Sequence, residues 1–182
     1  MDARRPAWCR RCGAASCPPG GCVQLRSHGA RARTQKGPTH PGGAPRTTLV
    51  TVWRFLCVVC DATFTVSPAG VLRRRLYRAT AIGLALFAYG VDKQSHDEVR
   101  AFLAPVEVAR ESSAGRRWTA LVRWACAAKA GALLEGVGPV AGTLRAAAER
   151  VALAIEAHGR RLDDRAGRVF DGALAAPWRG AS

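Results

Sequence analysis

From Thr47 to Phe55 the chain is built almost entirely of β-branched and aromatic residues (Thr47-Thr48-Leu49-Val50-Thr51-Val52-Trp53-Arg54-Phe55). It then enters Cys57-Val58-Val59-Cys60 and leaves through Ala62–Val66, so the pattern predicts a strand pair with a cysteine turn at its tip. Shorter strands are expected near Val23–Arg26 and Ala30–Lys36, and Pro38–Pro45 reads as a turn cluster. Pro68 and Gly70 end the sheet. Beyond them the period becomes helical. Leu72, Leu76, Ala79, Ile82, Gly83, Leu86 and Tyr89 predict a helix over Leu72–Tyr89, with Gly90 as its C-cap. Ser95 and Glu98 have the spacing of a capping box for a helix that runs to about Ala104 and stops at Pro105. A short helical piece (Val106–Glu111) and a turn (Ser112–Gly115) precede an amphipathic helix from Arg116 to about Lys129. Further helices are expected over Pro139–His158 and around Asp164–Leu174. The expected fold class is α+β: a small β-ribbon with a Gly/Pro/Arg-rich loop (1–68), an all-α, helix-turn-helix-like domain (69–130) and an Ala/Arg-rich helical extension (131–182).

Cysteine spacing adds chemistry to that outline. Seven cysteines follow an N-terminus without an apolar leader, which favours metal over disulfides and an intracellular, cytoplasmic protein. Cys9-x2-Cys12 and Cys57-x2-Cys60 each offer two thiolates, and together they supply the four ligands of a closed tetrahedral Zn²⁺ site. Gly13 suits the tight turn after the first pair. The 44 residues between Cys12 and Cys57 are many for a ribbon, and the Gly/Pro-rich loop is expected to absorb them. Cys17 and Cys22 flank a loop-like Pro-Pro-Gly-Gly insert and are weaker candidates. His28 and His40 read as surface residues, and Cys126 as a small buried one. A redox dithiol is an alternative that lacks a βαβ context, and an iron–sulfur cluster would use the same four thiols.

The expected single Zn²⁺ is structural, because a four-thiolate site leaves no position open for water. Asp61, Asp92, Asp97, Glu98, Glu107 and Glu111 fall at caps and helix faces rather than in a two-metal set, and His96 and His158 have no nucleophile partner. Gly136-Val137-Gly138-Pro139 lacks the lysine of a phosphate loop. The reading is therefore non-enzymatic; an enzyme would need an open site, for example with His28 replacing one cysteine.

The charge pattern suggests a polyanionic partner. The formal net charge is +15 and the pI about 11.0. Residues 1–91 hold 14 Lys and Arg against two acids, whereas residues 92–182 hold 14 against 11. Arginine dominates, which suits bidentate phosphate and guanine contacts but also follows from a GC-rich genome. The candidate DNA contacts are Arg54, Arg73, Arg74, Arg75 and Arg78, together with Arg116, Arg117, Thr119 and Arg123 on the later helix. That helix is expected to turn Trp118, Leu121, Val122 and Ala125 to the core, with Trp124 near the flank. It would lie in the major groove as a recognition helix. An ordinary helical bundle with a solvated arginine face is the alternative. The most apolar stretch, Ala79–Val91, is too short to span a bilayer, so no membrane role is expected and nucleoid association is.

The paired cysteines, the aromatic strand between them, Thr63-Phe64-Thr65-Val66-x-Pro68 and the following basic helix resemble the N-terminal region of bacterial insertion-sequence transposases. Arg117-Trp118-Thr119-x-x-x-Arg123-Trp124 is similar to the helix after the ribbon in that group. The likeness covers about residues 9–130. It implies a zinc ribbon followed by a helix-turn-helix that binds DNA. The chain ends before the ribonuclease-H-like catalytic domain of those enzymes would fit. The resemblance therefore implies a stand-alone DNA-binding relative, an accessory protein or a truncated element that neither cuts nor joins DNA. A different class remains beside it: a zinc-ribbon module that docks on a protein such as a transposase or a polymerase subunit.

Overall fold

The computed structural model describes residues 5–104, 118–160 and 163–179. Three strands, β1 (Leu25–Gly37), β2 (Arg46–Cys57) and β3 (Thr63–Val66), form one antiparallel sheet in the order β1-β2-β3. Among the described residues five helices follow: α1 (Ala79–Gly90), α2 (His96–Leu103), α3 (Thr119–Lys129), α4 (Leu144–Ala157) and α5 (Arg165–Ala175). The chain divides into two compact units. Among the described residues one comprises 5–34 with 49–69, and the other comprises 35–48 with those from 70 to 179. No helix among the described residues is long and apolar enough to cross a membrane.

In the first unit β2 buries Val52, Phe55 and Cys57 and turns Thr51 and Arg54 to solvent. β3 pairs with its end, Phe55 opposite Phe64 and Arg54 opposite Thr65. The two phenyl rings stack with centroids 6.4 Å apart, the kind of cross-strand aromatic pair that fixes register. β1 is one strand of 13 residues where two short ones were expected. Gly29 sits within it at φ +97°, a conformation open to glycine that reads as a break in the sequence yet leaves the strand continuous.

The second unit is organised around α1, whose twelve residues are all buried. It packs against α4 and α5, and α4 also packs against α3 and α5, so residues expected as an extension supply two helices of this core. α1 begins at Ala79 rather than Leu72. The Lys36 amide donates to the Leu76 carbonyl and the Arg78 amide to the Lys36 carbonyl, both at 2.9 Å, while Gln35 Nε2 donates to the Arg75 carbonyl at 2.8 Å. The backbone of residues 75–78 is thus committed to β1, and Arg74 at φ +57° lies outside helical geometry altogether. Leu76, expected on the core face, is exposed.

Other boundaries follow local chemistry. The Ser95–Glu98 capping box forms as expected: the Glu98 amide donates to Ser95 Oγ and the Ser95 amide to Glu98 Oε2. α4 starts at Leu144, later than Pro139, because Thr143 caps it and Gly142 before the cap holds φ +95°. α3 starts at Thr119; Arg116, Arg117, the Val106–Glu111 piece and the Ser112–Gly115 turn lie outside the described residues. Trp124 is buried rather than flanking, in edge-on contact with Tyr77 and Trp118 at 5.1 and 5.3 Å, and Val122 is only half-buried.

Gly90 is the last residue of α1 and Val91 is its C-cap, so glycine is there for another reason. A Cβ at Gly90 would strike the backbone of Ala148 and Glu149 in α4, and one at Gly172 in α5 would strike the Ile155 carbonyl oxygen. These glycines let helices approach closely. Gly172→Ala is expected to cost about 3 kcal/mol in denaturant unfolding, the size of an overpacked core. Gly138→Ala, which meets nothing within 4 Å, is the control and should stay within about 0.5 kcal/mol of the parent. Equal effects at the two sites would refute the close-packing account.

Glu156 on α4 ties α5 down. Its carboxylate, with 13% of the side chain exposed, accepts from Arg165 (2.9 Å) and Arg168 (2.8 Å). The hydrogen bond from Arg165, then that from Arg168, holds it below the ordinary value of 4.5 against the opposing effect of burial. A depressed carboxylate stabilises the fold above its unfolded pKa, and that stability is lost as pH falls through the folded one. Glu156→Gln is therefore expected to cost about 1–3 kcal/mol at neutral pH. It should also shrink the loss of stability seen in thermal melts as acidity passes below pH 4.5. An unchanged acid dependence would show that the network contributes nothing.

Candidate metal centre and basic surfaces

Two cysteine turns of the same construction face each other in the first unit. In the first, the Cys9 amide donates to the Ala14 carbonyl (2.8 Å); in the second, the Cys57 amide donates to the Ala62 carbonyl (3.0 Å). The residue after each second cysteine is left-handed, Gly13 at φ +74° and Asp61 at φ +55°. Aspartate is among the few side chains that tolerate that region, so it does at the second turn what glycine does at the first. The Arg11 amide also points at Cys9 Sγ from 3.4 Å.

These turns bring Cys9, Cys12, Cys57 and Cys60 together, all four sulfurs within 4.8 Å of one another. The Cys9–Cys60 and Cys12–Cys57 pairs are each 3.7 Å apart. A tetrahedral site with metal–sulfur bonds near 2.3 Å has sulfurs about 3.8 Å apart, so the residues present fit one metal ion. Cys9 and Cys57 are buried, Cys60 half-buried and Cys12 exposed.

The protons of the cluster are shared unevenly. The Cys12 amide, then that of Arg11 and the sulfurs of Cys12 and Cys57, lower Cys9 to about 6 against the effect of burial. At Cys60 the Ala62 amide pulls downward, but burial and the thiols of Cys12, Cys9 and Cys57 together push it up to about 12. Four thiolates within so small a volume repel one another, and a bound cation would offset that repulsion. A four-sulfur set suits zinc or iron–sulfur chemistry and disfavours hard cations.

The remaining candidate ligands are elsewhere. Cys17 is half-buried with Arg5 Nη1 3.6 Å from its sulfur, and Cys22, His28 and His40 are exposed outside the cluster. Cys126, expected to be buried, is exposed on α3, because the helix turns Leu121, Trp124, Ala125 and Ala128 inward instead.

The arginines expected to meet DNA occupy several places. Arg54 is exposed on β2, and Thr119 and Arg123 are exposed on α3. Arg73 and Arg74 are exposed and Arg75 half-buried in the turn before α1. Arg78 is partly committed to the fold, since its Nη2 donates to Thr48 Oγ1 at 2.7 Å. β1 adds basic residues that the candidate contacts do not name: Arg26 through Ala32 are exposed without interruption, and Arg46 is exposed at the start of β2. Burial, with the charge of Arg31 two residues away, holds Arg33 below its usual pKa. Arg26, Arg31 and Arg33 fall in the two short strands expected from the sequence, and Gly29 between them hid that they share one continuous strand.

The fold and the site thus define an α+β protein with a four-cysteine, metal-competent β-ribbon and a helical unit. No family model, curated protein or solved structure matches the chain.

Proposed function

We propose that this chain is a zinc-stabilised DNA-binding protein without catalytic activity of its own. The observation that carries the reading is the exposed basic strand β1, which starts at Leu25 of the cysteine-lined cluster and continues through Arg26, Arg31 and Arg33. A two-stranded ribbon fits the major groove, and arginine forks can meet phosphate or guanine there. One structural Zn²⁺ held by Cys9, Cys12, Cys57 and Cys60 would fix the ribbon's base. Arg54 and the Thr119–Arg123 face of α3 are further contacts, the latter in the helix-turn-helix sense. The likeness of the cysteine pairs and of the Arg117–Trp124 segment to transposase N-terminal regions supports a transposase-related accessory or regulatory protein, acting in the cytoplasm at the nucleoid.

Fluorescence anisotropy on random duplex DNA at two salt concentrations tests this. Affinity should fall steeply with salt as counterions are released. A second reading, docking on a transposase or a transcription complex, is favoured by Trp8, Val58 and Val59, large apolar side chains exposed at the cysteine turns. Binding of that kind would hardly respond to salt.

A further inference from the structure

Within the helical unit Arg73, Arg74, Arg75 and Arg179 line an open recess of about 420 Å³. Three consecutive side chains line one recess only because the chain turns there; along a strand, neighbours face opposite ways. Both walls are fixed. The Arg75 carbonyl accepts from Gln35 Nε2 at 2.8 Å. The Arg179 amide donates to the Leu133 carbonyl at 2.9 Å and its Nε to the Leu134 carbonyl at 3.0 Å, beside the Leu134–Trp178 bridge. Among the described residues no acidic side chain lines the recess, and no ion pair joins a described acid to Arg73, Arg74 or Arg179. Some arginines elsewhere in the unit do have carboxylate partners: Arg165 and Arg168 share Glu156, and Arg160 meets Asp171.

We propose that this recess seats a phosphate monoester, the terminal phosphate of a nucleic-acid strand or of a free nucleotide. The strand-end source rests on the DNA-binding reading; the nucleotide source does not. A terminal phosphate carries close to two negative charges and three equivalent oxygens, whereas a phosphate inside a strand carries one charge. Arginines on two walls match the former, since a guanidinium can donate two parallel hydrogen bonds to phosphate. The left-handed Arg74 residue fits the same picture, because a glycine there would remove the strain and the fourth cation together.

The test uses the full chain with four ligands: a duplex with 5′-phosphate ends, the same duplex with 5′-hydroxyl ends, a nucleoside monophosphate and inorganic phosphate. Arg74→Gly and Arg179→Gln are the variants. Arg74→Gly should melt no lower than the parent, since glycine adopts positive φ freely. The strand-end source is supported if the phosphorylated duplex binds at least tenfold tighter than the hydroxyl one. Both variants should abolish that preference, and inorganic phosphate should compete for the site. The nucleotide source is supported if the monophosphate binds and either variant weakens it tenfold, whatever the duplexes do; that result stands even if DNA binding fails. Equal affinity for both duplex ends together with no nucleotide binding overturns the proposal, and salt-dependent duplex binding would then leave the DNA reading intact. Phosphate-dependent binding unchanged in both variants overturns it as well.

Discussion

A Cys57→Ser chain is expected to lose its metal and, with it, the fold of the ribbon unit. Cys57 is wholly buried at the end of β2, and among the described residues it clusters with Cys9 and Leu25, while Val52 and Phe55 are the other large apolar side chains β2 buries. So small an apolar core needs a staple, and a structural zinc contributes on the order of 10 kcal/mol to domains of this kind. Serine offers no thiolate, and the three remaining sulfurs would be left packed together without their cation. Native mass spectrometry should show one zinc per parent chain and none, or a trace, in the variant. Hydrogen exchange should show protection lost over residues 49–57 while α1 and α4 keep theirs. Cys22→Ser is the control, since Cys22 is exposed outside the cluster, and it should retain one zinc with unchanged protection. Chelation of the parent should reproduce the Cys57→Ser pattern. A chelated chain that keeps full protection over residues 49–57 would show that the four thiols form a buried cluster with no structural duty.

The cysteine cluster was legible because its information is local: two thiols with two residues between them declare a turn, and two such turns declare a site. The capping box at Ser95 was legible for the same reason. What the sequence concealed was decided by distant partners. Leu72 and Leu76 have helical spacing with Ala79 and Ile82, yet the backbone of 75–78 is claimed by Gln35 and Lys36 of β1. Gly90 looked like a cap because glycine usually is one at a helix end; its duty is the close approach of α4. Among the 44 residues between the cysteine pairs two short strands were expected ahead of the Pro38–Pro45 turn, and Gly29 hid the fact that they are one continuous strand. Cys126 sits among alanines that suggest core, yet one step of helical phase puts it outside. The arginine recess lay beyond reach altogether, since Arg179 joins Arg73–Arg75 from the far end of the chain.

Reversing two charges on β1, Arg31→Glu with Arg33→Glu, is expected to weaken duplex binding by at least two orders of magnitude at low salt. Each lost phosphate contact removes one released counterion, so the slope of log affinity against log salt should flatten by about 0.9 per contact, or nearly two units for the pair. The substitution lies away from the four thiols, and Arg31 is exposed, so metal content should remain at one per chain. Two comparisons locate the contact surface. Arg123→Glu on α3 probes the helix-turn-helix contribution, and Glu149→Gln, on an acidic residue paired with Lys93, probes nonspecific charge effects. If the ribbon is the principal contact, the β1 pair loses far more affinity than Arg123→Glu, and Glu149→Gln changes binding by less than about threefold. If α3 reads the groove, the order inverts and sequence preference relaxes with Arg123, because base contacts carry specificity while phosphate contacts carry affinity. A β1 double reversal that leaves both affinity and slope untouched removes the ribbon from the DNA interface. The exposed Trp8, Val58 and Val59 would then become the reason for a protein-docking surface at the metal site.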